Sequence, residues 1–283
     1  MKLVLGVVLY ANQPFDSITL QSLSSIDFES IGLEVLVHVR DNSTIGYGVA
    51  GVSKVLNGLD FFYDFDSENL SLSKVYNRIV SMHNYPNAFV FLDDDSVVTK
   101  GYFEELLKFL QSSSSIAIPT INFRGEMISP GRIEGVRGKK LTTNDIVTSK
   151  ENRDLVAMMS GTVVKSSVFN LHKLKFDERL SIYGVDTKFF LDSSDVGLGC
   201  YVLDYRMEHD SALRALNYEF NKMYFRFSNL MQAQFIIHEN KKFYKLSLFL
   251  YFPFFIIAKV LRLKDIRFLK LFKNYKFFWK LNR

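Results

Sequence analysis

Phe89-Val90-Phe91-Leu92-Asp93-Asp94-Asp95-Ser96 is an apolar run that ends in three adjacent carboxylates. A bounded apolar run of this length reads as a buried strand of a parallel sheet, both faces of which are covered by helices. In open α/β sheets, ligands bind beyond the carboxyl ends of the strands. Three carboxylates gathered there repel one another in a partly dry site unless a cation lies between them. Oxygen-only donors suit Mg²⁺ or Mn²⁺, and Mg²⁺ is held by one or two carboxylates together with substrate phosphates. Asp93 and Asp95 are therefore candidates for a metal-bound diphosphate site; the competing reading is a solvated acidic turn.

Upstream, the chain alternates in a way that supports the strand. Residues 3–9 form a first apolar run, read as a strand and not as a signal peptide because no small-residue cleavage site precedes Asn12 and Pro14. Asp16 or Ser17 can cap a helix carrying Ile18, Leu20, Leu23 and Ile26. Residues 33–39 give a second strand with the polar tip Arg40-Asp41-Asn42-Ser43, residues 59–65 a third, and residues 70–80 a helix. Strand, helix, strand, helix, strand is the doubly wound pattern of an α/β protein with a mostly parallel sheet flanked by helices. The chain has no Walker loop, which removes the main support for a P-loop reading.

Downstream, residues 101–111 read as a helix and 116–118 as a strand. Residues 122–154 are polar and glycine-punctuated, and loops of that length are usually functional or disordered. Apolar character returns over 155–164. Residues 176–190 then place carboxylates ahead of an apolar helix, and 200–203 form a short strand leading to His209.

Charge divides the chain. From residue 241 onward twelve Lys and Arg stand against one acid, a balance of +11; the whole chain carries +5, so residues 1–240 carry −6. A basic tail on a mildly acidic body suggests a polyanionic partner. Residues 243–258 are aromatic and aliphatic, but Lys245 and Pro253 interrupt them and they fall short of the roughly 20 residues of a spanning helix. An α-helical wheel over 259–281 puts Val260, Leu261, Phe268, Leu271, Phe272, Tyr275, Phe278 and Trp279 on one side. Lys259, Arg262, Lys270, Lys273, Lys276 and Lys280 fall opposite. This is the pattern of an interfacial helix on anionic lipid, or of a helix packed on the body with a solvated basic face. No nucleic-acid motif accompanies the charge. The lone Cys200 forms no internal disulfide and suits a reducing compartment.

Taken in order, these motifs resemble family 2 glycosyltransferases of the GT-A fold, particularly a bacterial rhamnosyltransferase-like branch, over roughly residues 3–230. Val7-Val8-Leu9-Tyr10-Ala11-Asn12 is similar to the family's first strand and nucleotide-facing loop. Val39-Arg40-Asp41-Asn42-Ser43 resembles the motif whose aspartate contacts the base, and residues 69–77, with Lys74 and Asn77, the helix near the nucleotide. Leu92-Asp93-Asp94-Asp95-Ser96 resembles the Asp-x-Asp signature. Ser160-Gly161, Phe176-Asp177-Glu178 and Tyr183-Gly184-Val185-Asp186 resemble the acceptor side.

The resemblance implies Tyr10, Asn12, Asp41, Lys74, Asn77, Asp93 and Asp94 on the nucleotide and donor. It implies Asp93, Asp95 and His209 on a divalent Mn²⁺ or Mg²⁺, Ser160 and Gly161 on the sugars, and Asp186 as catalytic base. Each residue keeps a plainer alternative. Asp41 can begin an Asx turn, Lys74 and Asn77 can be a solvated helix face, Asp177 and Glu178 can cap the next helix, Ser160-Gly161 can be a tight turn, and His209 can be a core or surface histidine. Two departures stand out: Val185 where the family often has Glu, and Asp192 where an Arg commonly follows the base.

The expected protein is an inverting transferase of residues 1–215 with a basic, helical, membrane-associating region over 216–283. It would use a nucleotide-diphospho-sugar and a lipid-linked or oligosaccharide acceptor in bacterial surface polysaccharide synthesis. It would sit in the cytoplasm on the inner face of the cell membrane and bind no nucleic acid. The rivals are a nucleotidyltransferase, which would carry a glycine-rich basic loop where Tyr10 to Phe15 stand, and an inactive sugar-nucleotide-binding or scaffold subunit.

Overall fold

Alternation along the first strand explains the layers. In β1 (Lys2–Leu9), Leu3, Leu5, Val7 and Leu9 join one buried cluster while Val4 and Val8 join another, so the strand is apolar on both faces. The computed structural model describes residues 1–84, 86–208 and 219–275. Next in the chain come α1 (Ile18–Ser24), β2 (Glu34–Asp41), α2 (Val49–Val55), β3 (Phe61–Phe65), α3 (Leu72–Met82), β4 (Ala88–Asp93) and α4 (Lys100–Gln111). They are followed by β5 (Ile116–Phe123), β6 (Glu126–Ser129), β7 (Gly131–Glu134), β8 (Arg137–Lys140), β9 (Lys150–Asn152) and β10 (Thr162–Lys165). Then come α5 (Ser166–Asn170), α6 (Val185–Asp195), β11 (Cys200–Glu208), α7 (Phe220–Ile237), α8 (Tyr244–Leu263) and a 3-10 helix, Ile266–Asn274.

The main sheet runs β3-β2-β1-β4-β10-β5-β11-β9, with β6 on β5. Pairs β3-β2, β2-β1, β1-β4 and β5-β11 are parallel; β10 is antiparallel to both β4 and β5. Helices α1, α2 and α4 cover the face of the odd β1 residues through Leu20, Val52, Phe103 and Leu106. Helices α3, α6 and α7 cover the other through Val75, Ile79, Phe189 and Ile237. Gly6 lets α3 approach: a Cβ there would stand 3.0 Å from Ile79 Cδ1. The α/β class and mostly parallel sheet expected from the apolar runs are what the chain adopts.

Several local expectations are corrected. Residues 122–154 are not one irregular loop: β5 continues to Phe123, Arg124 and Gly125 turn it into β6, and β7 pairs with β8 in a separate hairpin. These strands hold three or four residues, and all of β8 is exposed, so no alternation marks them. Helix α2 was hidden because its seven residues include Gly51 and follow a glycine N-cap. Asp177 and Glu178 do not cap α6, whose N-cap is Gly184 in the left-handed region.

The tail differs most. Helix α8 is 20 residues long with Pro253 inside it, long and apolar enough by length and composition to cross a membrane. It stops at Lys264, whose φ of 51° breaks the helix expected over 259–281. The next turn is 3-10, with a period of three residues, so Phe268 and Leu271 are buried while Phe272, assigned with them on the α-helical wheel, is exposed.

Candidate active site

Parallel register puts the tips of β1, β2 and β4 side by side. Val8 pairs with Asp93 and Leu9 with Asp41, so both aspartates stand at the same carboxyl edge. The loop leaving β1 crosses this edge. Ala11, held at φ 54°, donates its N–H to Ser43 Oγ at 3.1 Å, and the Asn12 amide donates to Asp94 Oδ2 at 3.0 Å. Tyr10 remains 60% exposed above the edge, open to a stacking partner.

Asp41 is fully buried. It accepts from Ser43 N at 3.1 Å, Tyr47 N at 2.9 Å and the Tyr63 hydroxyl at 2.7 Å, which fixes the residue 43–47 loop as an enlarged Asx turn. Burial, reinforced by Asp41, pushes the Tyr63 phenol up to about 12, so it stays a donor. Behind the tip, the buried Arg40 meets Asp64 at 3.3 Å and Asp66 at 3.1 Å, while Arg78 holds Asp64 at 2.7 Å. Burial would raise the Asp64 carboxyl, but hydrogen bonds from His38 and Arg78 and the charges of Arg40 and Arg78 hold it well below the usual range. Asn42 continues this bracing, donating to Asn69 Oδ1 and Leu70 O and accepting from Leu70 N.

The acidic triplet hangs on a buried threonine. The Thr19 hydroxyl lies against Asp93 O and Ser96 O and accepts from Ser96 N at 2.8 Å, and Ser17 Oγ donates to Asp94 O at 2.9 Å. The start of α1 thereby sets the turn of Asp93 to Ser96. Burial raises the Asp94 carboxyl, with the Asn12 amide opposing and Asp95 adding to the rise. Asp94 is thus directed to the β1 loop.

Asp93 and Asp95 are the residues that would hold a divalent cation. Their donors are hard oxygens, and two carboxylates with a diphosphate suffice for Mg²⁺ or Mn²⁺, so the donor set fits. Among the described residues no group of three or more His, Cys, Asp and Glu side chains converges as a ready cage. His209, expected as a further ligand, lies outside the described residues.

The reversed strand β10 delivers Ser160 and Gly161 to the same edge. Its N-terminal approach places Ser160 Oγ 2.5 Å from Ser96 Oγ and 3.3 Å from Asp93 N, and both serines are buried. Gly161 donates to Phe91 O at 2.7 Å with φ 76°; a Cβ there would meet Pro119 at 2.8 Å and Met207 at 2.9 Å. Ser160-Gly161 is therefore a buried tight turn seated directly against the acidic tip.

Asp186 follows Val185 at the start of α6 and accepts Met159 N at 3.1 Å. Poor solvation, then the charge of Asp93, push its carboxyl up to about 7. The helix N-terminus favours its charged form, and desolvation outweighs that effect. The buried Tyr76 of α3 faces both Asp93 and Asp186, whose charges add to burial in raising its phenol well above its ordinary value. Asp93, Asp186, Ser160 and Tyr76 thus form one neighbourhood.

Not every candidate joins it. Asn77 is a strut, its amide donating to Phe176 O at 2.9 Å and Glu178 at 3.0 Å while its oxygen accepts Phe176 N. Lys74 is exposed in the first turns of α3. Asp177 is tied to Arg179, which also reaches Glu239. Asp192 is paired with the buried Lys188 at 2.6 Å. Thr19, Tyr63 and Tyr76 were not singled out in the sequence. Tyr76 reads as an ordinary apolar-face residue of α3, and only the register of α3 on β4 gives it a polar neighbourhood.

No family model and no curated protein matches the sequence. The fold does match solved structures. S. aureus TarS aligns at TM-score 0.56 with 15% identity, covering 83% of this chain and 44% of that one. Residues 1–349 of S. aureus TarS in complex with UDP-GlcNAc align at TM-score 0.57 with 18% identity, covering 86% of this chain and 68% of that one. GalNAc-T7 with UDP, GalNAc and Mn²⁺ aligns at 0.61 with 10% identity, covering 84% and 48%. This chain spans less than half the length of the first and the third. The architecture is that of GT-A-type glycosyltransferases.

Proposed function

We propose that this protein is an inverting glycosyltransferase that moves a sugar from a nucleotide-diphospho-sugar to an acceptor hydroxyl. The observation that carries the proposal is that Asp186, accepting Met159 N, stands next to Ser160, which lies against the Asp93 tip of a GT-A sheet. A poorly solvated carboxylate held at that place can take a hydroxyl proton as a general base. Displacement in one step by a single base inverts the anomeric centre, by analogy with inverting glycosidases.

Each part of the site has work in this scheme. Tyr10 and the 43–47 loop offer a platform and backbone groups to the base, with Asp41 organising the loop from beneath. Asp93 and Asp95 would hold the cation. When bound, that cation supplies Lewis-acid stabilisation to the departing diphosphate. Asn12 holds Asp94, and Ser160 with Gly161 keeps the acceptor-side wall in register with the triplet. Structures of TarS with UDP-GlcNAc and of GalNAc-T7 with UDP and Mn²⁺ support a UDP-sugar and a divalent ion. The rhamnosyltransferase-like motifs support dTDP-rhamnose. We take residues 1–215 as the catalytic part and 216–283 as a region that holds it to the cytoplasmic face of an anionic membrane. A lipid-linked glycan of a bacterial surface polysaccharide is then the acceptor.

The test is a thermal-shift screen with UDP-, dTDP-, GDP- and CMP-linked sugars in Mn²⁺, Mg²⁺ or EDTA, repeated on Asp95→Ala, because a ligand of the folded state raises the midpoint. A metal-dependent shift with one nucleotide, lost in Asp95→Ala, is the expected result. Folded protein that responds to none of them refutes the transferase reading.

A further inference from the structure

The 3-10 helix Ile266–Asn274 carries three stripes. With three residues per turn, side chains at i and i+3 eclipse. Phe268, Leu271 and Asn274 are buried, Arg267, Lys270 and Lys273 form an exposed basic stripe, and Ile266, Leu269 and Phe272 form an exposed apolar one. Helix α8 beside it is two-faced. Leu248, Phe252 and Ile256 are fully buried against the cluster of Met231, Phe235 and Phe268. Leu246, Leu250, Phe254, Ile257 and Leu261 point outward at steps of four, four, three and four, with Phe254 and Leu261 about 70% exposed. That stripe is about 22 Å long at 1.5 Å per residue. The two apolar stripes are joined at one end by Tyr275, whose ring lies 5.6 Å from Phe249 and 5.8 Å from Phe272, with its hydroxyl donating to Phe249 O.

We propose that this joint outer face of α8 and the 3-10 helix lies flat in the interface of an anionic lipid bilayer, half-immersed and not spanning it. The inference rests on the membrane reading above and names the surface and the mode. Charge selects the occupant. Residues 241–275 carry nine Lys and Arg against Asp265 alone. Apolar side chains bordered by cations match acyl chains beneath anionic headgroups. A second copy would bring the basic stripes together across a twofold contact.

Packing selects the mode. The inward face of α8 is taken up by α7 and the 3-10 helix, and Lys259 lies over the rings of Phe227 and Phe255 at 4.8 and 5.0 Å. Helix α7 is in turn seated on the catalytic body: a Cβ on Gly184 would stand 2.7 Å from Ile237 and 3.0 Å from Ala233. A spanning α8 would have to leave this packing or drag cationic neighbours through the bilayer.

The test uses the full chain and phosphatidylcholine vesicles with or without phosphatidylglycerol. Flotation with the anionic vesicles, weakened by salt and reduced at least about tenfold by Leu250→Ser/Phe254→Ser/Ile257→Ser, is expected. These positions are exposed, and an unchanged melting midpoint without vesicles shows the variant is folded. In parallel, Leu246→Cys, Phe254→Cys and Leu261→Cys, labelled with an environment-sensitive fluorophore and quenched by nitroxide lipids, should report one shallow depth. Cys200 is buried and does not compete for label. Graded depth along α8, or flotation unaltered by the triple substitution, overturns the proposal while leaving the membrane reading standing. Failure of the unsubstituted chain to bind anionic vesicles overturns both, and self-association lost in the triple variant reassigns the face to a second copy.

Discussion

At the tips of β1, β2 and β4 the polar side chains are tied back to the chain that carries them; on α8 and the 3-10 helix the outward side chains are apolar and inward packing does the holding. Asp41 accepts three hydrogen bonds and Thr19 braces the Asp93 turn from beneath. The C-terminal layer is instead held by Phe227, Phe252, Phe268 and Leu271. A site that must meet charge with little reorganisation is built from satisfied polar groups. A surface that meets a fluid, deformable partner needs area and charge more than fixed geometry.

Replacing the proposed base, Asp186, separates the two regions most sharply. Asp186→Asn should lower transfer by about 10² to 10⁴-fold, leaving nucleotide-induced thermal shift and vesicle flotation intact; loss of nucleotide binding instead would show that Asp186 serves the donor. Next, Phe268→Ala empties the centre of the helical layer and should cost about 3–5 kcal/mol of that layer's stability. Hydrogen exchange should find the loss in α7 and α8 while protection in β1 and β4 persists. Equal loss in both would mean that the layer and the sheet unfold as one unit.

Asp64→Asn acts on the opposite side, stripping the buried Arg40 of one carboxylate, and should cost about 3 kcal/mol by denaturant unfolding. Asp66 remains as a second partner for Arg40, which keeps this below the Phe268 effect. The smallest effect is a pH dependence. Burial, then the neighbouring His38 and the charge of Lys2, hold the His83 imidazole down to about 4 from an ordinary 6.5. The unfolded chain therefore binds more protons between those values. Stability is fully present above about 6.5 and falls as pH drops toward 4, by about 1 kcal/mol allowing for partial exposure. His83→Asn should flatten that part of the curve and leave vesicle binding unchanged.

Legibility in the sequence followed burial on both faces. Residues 3–9 and 88–92 are continuous apolar runs because helices cover both sides, and the acidic tip of β4 stands out against such a run. Asp93 stands out as the acidic end of an apolar run, whereas Asp41, Asp186 and Ser160 came into view through the family resemblance. Strand β10 was not readable as antiparallel, since Thr162-Val163-Val164 is as apolar as a parallel strand and only pairing partners set direction. Hairpin β7-β8 has no core face to leave a pattern. The period of the 3-10 helix was missed because Lys264, not Gly or Pro, takes the left-handed conformation that ends α8. Asn77 entered through the family resemblance, and its role as a strut was not legible because its partners, Phe176 and Glu178, lie about a hundred residues away.

The direction of β10 has one more consequence. Strand β5 ends at the edge that carries Asp93, and β10, running the other way, begins there. Between those two points residues 124–161 stay partly in the sheet: β6 pairs with β5 at that rim, and β9 reaches the far edge to pair with the start of β11. Only the hairpin β7-β8 stands in a sheet of its own, so its turn can be lengthened without shifting the register of any main-sheet strand. Change can be absorbed in that hairpin while the parallel pairing that carries Asp41 and Asp93 stays as it is.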